Sequence, residues 1–148
     1  MKKNIKTSVL CGAFAILRDA KLSKCEDADK FKVIKLLRKL KGICTEFEDF
    51  QKDAMERLKG DNHDEMVELA QEWQKDGENT KLSEEVRKNI NEYFGKYNSD
   101  VLKCIDEEAN KENELEFDGF TDDGFEKLMA SNDWTAAQAL DLSELLCE

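Results

Sequence analysis

Between residues 24 and 59, apolar side chains recur in three adjacent seven-residue rows. Val33, Leu40, Phe47 and Ala54 make the first row, and Leu36, Ile43 and Phe50 the second. Leu37, Cys44 and Leu58 make the third, with Gln51 as its polar exception. Adjacent heptad positions give a buried stripe wider than the seam of a two-stranded coiled coil. A helix built this way needs apolar neighbours on more than one side, which predicts an all-α fold, a helical bundle. The helix stops at Gly60, a residue suited to the position just past a helix end. The chain has no proline to interrupt such elements, and its 148 residues are enough for one domain with one core.

The remaining periodicity predicts a second long helix and several shorter ones. Residues 4 to 20 read as a first helix, with Ile5, Val9, Ala13, Ile16 and Leu17 on its apolar face. Lys21-Leu22 reads as a turn, and Ser23 with Glu26 as a capping box for the long helix. Met66, Leu69, Ala70 and Trp73 mark a helix over 62–76 that Gly77 ends. Ser83 caps the second long helix, in which Val86, Ile90, Phe94, Tyr97, Val101 and Ile105 keep the period to about residue 112. Gly95 and Asn98-Ser99 weaken its middle and favour a bend. From Glu114 the text ELEFDGFTDDGF reads as an acidic loop with room for a short strand. Thr121 caps a turn carrying Phe125, Leu128 and Met129, and a last helix over 134–147 is anchored by Trp134 and Leu140. The expected layout is a bundle over 1–113 with 114–148 packed on it, one domain overall.

Charge divides the chain unevenly. Residues 1–41 hold twelve Lys+Arg against four Asp+Glu, a balance of +8, whereas residues 42–148 stand at −19 within a net −11. The basic end is densest in KFKVIKLLRKLK, residues 30–41. Its cations lie off the Val33/Leu36/Leu37/Leu40 face, so they coat the outside of a buried helix. They occupy the helix's N-terminal half, where the dipole disfavours positive charge. That placement predicts an anionic neighbour: the chain's own acidic half, another acidic subunit, or phosphate. Nucleic acid is the weakest of these, because the stretch offers a single arginine as a base reader and the rest of the chain repels phosphate. Carboxylates are the expected anions.

Catalytic and cofactor signatures are lacking. There is no phosphate-binding glycine loop, dinucleotide fingerprint, nucleophile elbow or HExxH. The one histidine, His63, sits in DNHDEM, where helix capping by Asp61 or Asn62 and a solvated imidazole account for the residues. A calcium loop over Asp61–Glu72 fails because Met66 stands where the sharp turn needs glycine. Cysteines 11, 25, 44, 104 and 147 form no CxxC pair and several fall on apolar stripes. They predict reduced thiols in a cytoplasmic protein rather than a disulfide frame or a zinc site. The start, KKNIKTSVLCGAFAIL, resembles a signal peptide in its basic lead and Ala13-Phe14-Ala15 triplet. Its apolar run is short and interrupted, so it is expected to belong to the fold, and no run reaches the length of a membrane span. The expected roster is therefore empty of catalytic residues, metals and cofactors.

From Ile16 to Leu58 the chain resembles an uncharacterised family of small helical proteins of tailed bacteriophages. The likeness lies in Ala20-Lys21-Leu22-Ser23, in Lys30-Phe31 and Leu36-Leu37 of a basic helix, and in the acidic continuation Glu46-Phe47-Glu48. Phe117 to Leu146 is similar to the acidic tail of that family. The resemblance implies an accessory or assembly protein of a virion, in the host cytoplasm or the particle, and assigns no functional residue. The function expected is a non-enzymatic protein–protein contact or self-association through charged faces. Lys32, Lys35, Arg38 and Lys39, with Phe117, Phe120 and Trp134, are the expected contact residues. The alternative is an acidic mimic of nucleic acid that occupies a DNA-binding protein.

Overall fold

The computed structural model describes residues 1–148 and is predominantly helical. Its elements are β1 (Lys2–Lys6), α1 (Thr7–Leu17), α2 (Asp27–Arg57), α3 (His63–Asp76), α4 (Glu84–Ala109), β2 (Glu112–Glu116), α5 (Asp122–Ala130) and α6 (Ala136–Leu146), with a 3-10 turn at Gly77–Asn79. The two long helices and the shorter ones stand where periodicity placed them. A two-stranded sheet is the departure from an all-α fold.

That sheet replaces the first turn of the expected helix 4–20. β1 and β2 pair antiparallel with Lys2 opposite Glu116, Asn4 opposite Glu114 and Lys6 opposite Glu112. Basic KKNIK thus lies against acidic ENELE, and cross-strand opposite charges stabilise such a pair. Lys2 Nζ also reaches Glu114 diagonally at 3.6 Å. Both strands are edges, and their charged outer side chains oppose pairing with a foreign strand. Where β1 ends, buried Thr7 takes over: its amide and hydroxyl both donate to the Lys111 carbonyl, and Asn113 Nδ2 donates to its Oγ1 at 2.8 Å.

The chain forms two compact units, Met1–Glu48 with Glu108–Glu148, and Asp49–Glu107. The first unit contains the main core. Leu10, Leu17, Val33, Leu36, Leu40, Leu115, Leu128, Leu142, Leu145 and Leu146 are all buried in one cluster. Leu10, Ala13 and Leu17 are the buried apolar positions of α1, while Val9, expected inside, is half exposed. The connection from α1 to α2 is held by the end of α5. Asn132 exchanges two hydrogen bonds with the Lys21 backbone, and the Lys24 amide donates to Ser131 Oγ at 3.0 Å. Residues 23–25 are consequently turn, and α2 begins at Asp27 rather than behind a Ser23 capping box. Acidic Asp27 and Asp29 then occupy its first turn, where the helix dipole favours them.

The second unit is thinner inside. Ala54, Ile90 and Val101 are its buried apolar residues, joined by His63. Gly77 ends α3 with φ +55°, a conformation that glycine adopts without side-chain strain. The Val86 amide donates to Ser83 Oγ, the cap expected for α4, which runs unbroken through Gly95. Thr121 likewise caps α5, and Thr135 with Gln138 forms a capping box on α6.

Candidate functional site

The basic exterior of α2 meets its anions within the first unit. Lys35 Nζ contacts Asp118 Oδ2 at 2.7 Å, and that ammonium holds the Asp118 carboxyl below its ordinary value. Lys32 Nζ pairs with Asp29 at 3.3 Å, donates to the Gly119 carbonyl at 3.1 Å and lies over the Phe120 ring. Lys39 Nζ donates to the Glu116 carbonyl. The loop after β2 thus lies along three of the four cations expected to bind a partner. Arg38 differs: it is exposed and makes no hydrogen bond or ion pair within the chain.

The aromatic contact residues also need revision. Phe117 and Phe120 are buried in the core at 6% and 3% exposure, so their rings are closed to a partner. The loop that carries them is pinned on both sides, by the Phe117 amide on the Met1 carbonyl and the Phe120 amide on the Leu146 carbonyl. Trp134 is half-buried against the core, its ring 6.4 Å from Phe125. Leu140, expected as an anchor of the last helix, is 59% exposed instead.

A surface that periodicity did not point to lies between α1 and α6. Ile5, Val9, Gly12, Ile16, Leu142 and Leu145 line an apolar groove of about 450 Å³. The volume falls within the range of ligand-sized clefts. Small residues make the groove: a Cβ placed on Gly12 would meet nothing within 4 Å. Asp141 and Glu144, one turn apart on α6, also line it, and neither carboxylate has a partner within the chain. Lys3, at the same groove, is engaged differently. Its ammonium donates to the carbonyls of Glu144, Leu145 and Cys147 at 2.7, 3.0 and 3.0 Å. A cation at these orphan carbonyls complements the negative end of α6. Replacing Lys3 by Met should lower stability by about 1 kcal/mol in urea denaturation, with the loss shrinking at high salt.

Two further clusters contain buried titratable groups. In the second unit His63 is buried, not solvated, and its Nδ1 lies 2.6 Å from Tyr93 Oη. In the first unit Cys44 faces Cys11, and burial, reinforced by that thiol, pushes Cys44 up to about 12. The sign follows directly: a pKa raised from 9.0 stabilises the fold fully below pH 9.0, and the contribution disappears as pH rises towards 12. Cys44 is therefore a neutral, unreactive thiol at pH 8. Alkylation by iodoacetamide, followed by mass spectrometry, should leave Cys44 unmodified long after a denatured control has reacted. No group of three or more His, Cys, Asp or Glu side chains is positioned to hold a metal ion. No helix is long and apolar enough to cross a membrane. No protein-family model, curated protein or solved structure matches this chain.

Proposed function

We propose that this chain is a non-enzymatic protein-interaction module whose contact surface is the α1–α6 groove. The observation that carries the reading is an open groove with apolar walls, carrying half-exposed Val9, beside two unpartnered carboxylates. Val9, on the α1 wall of the groove, is 50% exposed. Apolar surface of this kind gains most free energy when another apolar surface covers it. The basic face of α2, by contrast, contributes mainly to internal ion pairs and hydrogen bonds. Its exposed pairs with the 116–119 loop orient that loop more than they stabilise it. A bundle-like packing of the helices, as the three heptad rows demand, supplies the rigid support. The setting in phage assembly or a virion, with a host-cytoplasmic location, rests on the family resemblance alone.

The test is site-specific crosslinking. With benzoylphenylalanine in place of Val9, irradiation of cells expressing the chain should yield discrete adducts with protein. The same probe beside Gly12→Leu, which fills the groove, should yield few. Adducts that persist unchanged with the groove filled, or a probe that captures no protein, would overturn the reading.

A further inference from the structure

The first unit contains both halves of a complementary contact. On α2, Phe31 and Ile34 are 56% and 41% exposed, and Arg38 and Lys41 follow them on the same stripe at three- and four-residue steps. Neither Arg38 nor Lys41 has a hydrogen-bond or ion-pair partner within the chain. Both are therefore cations beside exposed apolar surface, in a helix whose other cations at 32, 35 and 39 are engaged. The α1–α6 groove has the opposite character: an apolar floor with two unpartnered carboxylates, Asp141 and Glu144. The dimensions agree as well. Phe31 to Lys41 spans about 15 Å of helix, and the α1 wall from Val9 to Ile16 spans about 10 Å. The two apolar residues and first cation of the stripe thus match the length of the floor.

We infer that the partner of the groove is a second copy of this chain, which lays its Phe31/Ile34/Arg38/Lys41 stripe into it. This deepens the interaction-module reading and rests on it. Phe31 and Ile34 cover the floor formed by Val9, Gly12 and Ile16, while Arg38 and Lys41 face Asp141 and Glu144. Because groove meets stripe rather than groove meeting groove, the contact is heterologous. Repetition then leads to a ring if the rotation closes and to a filament if it does not. Two small surfaces give an interface at the low end of the usual size range, so association is weak and is strengthened by opposite charge. It should grow with protein concentration and weaken with salt.

Sedimentation of the full chain across a concentration series, at low and high salt, measures this. The apparent mass of the wild type should rise with concentration, and less so at high salt. Two charge-reversed variants, Arg38→Glu/Lys41→Glu and Asp141→Lys/Glu144→Lys, should each associate at least about tenfold more weakly. Mixing the two should restore association, because each stripe then meets a groove of opposite sign. Gly12→Leu should also leave the chain monomeric, and circular dichroism should show its helix content intact, since a side chain there meets open space. A wild type that stays monomeric up to millimolar concentration would overturn the inference. So would association indifferent to the charge reversals or to Gly12→Leu. A monomeric chain whose Val9 probe still captures another protein overturns self-association and leaves the interaction module standing. A monomeric chain that captures nothing removes both.

Discussion

Replacing Leu40 by Ala is expected to lower the unfolding free energy by about 2–5 kcal/mol, the largest effect of any single substitution considered. Leu40 is 0% exposed and belongs to the main cluster of the first unit, with Leu10, Leu36 and Leu128 among its members. Truncation removes a methine and two methyl carbons from a filled site. The loss comprises their transfer free energy and the cavity that helix backbones cannot close. Domains of this size are stable by roughly 5–15 kcal/mol, so the variant should melt early or fail to accumulate. Leu102 is the matched control: it is a leucine of a long helix at 60% exposure, and Leu102→Ala should change stability by no more than about 0.5 kcal/mol. Urea denaturation followed by circular dichroism reads both. Equal losses at the two positions would contradict the core as described.

Tyr93→Phe ranks second, at about 1–3 kcal/mol. The Tyr93 hydroxyl accepts from the Gly60 amide at 3.2 Å and lies 2.6 Å from His63 Nδ1. Both bonds are satisfied when the hydroxyl donates its own proton to that nitrogen. Phenylalanine keeps the ring, including its stacking on Tyr97 at 6.2 Å and its edge contact with Phe94 at 5.1 Å. What it removes is the partner of a buried imidazole nitrogen, and leaving such a group unpaired is the costly part. A double-mutant cycle with His63→Ala isolates that contribution. A cycle whose two single losses simply add would show that the histidine and tyrosine stabilise the unit independently. Hydrogen exchange should place the change in the second unit, whose buried apolar set is only Ala54, Ile90 and Val101.

The heptad rows were legible because helix formation is local. Val33, Leu36 and Leu40 follow from spacing alone, as do Gly77 at the end of α3 and the Ser83 and Thr121 caps. Each depends on residues within four positions along the chain. KKNIK was not legible as a strand, since its pattern acquires meaning only opposite ENELE, with Lys2 paired to Glu116. His63 looked solvated because its neighbours in sequence are acidic, whereas the groups that enclose it are aromatic rings of α4. Phe117 and Phe120 sit in an acidic, glycine-containing stretch that reads as surface. Their rings join the core cluster, and two backbone bonds to Met1 and Leu146 hold the loop there.

From sequence alone came the helices, the Ser83 and Thr121 caps, the apolar stripe of α2 and the expectation that its cations would face carboxylates. These are consequences of short-range hydrogen bonding and of the period of the helix, and they need no knowledge of the rest of the chain. The tertiary structure decided what those cations meet: the Asp118 carboxylate and the Glu116 and Gly119 carbonyls, 77 to 87 residues away, in a loop whose Phe117 and Phe120 rings are buried. It also left Arg38 and Lys41 on one helix, and Asp141 and Glu144 on another, without ion-pair partners. Coulomb attraction depends on distance in space, and only the fold sets that distance.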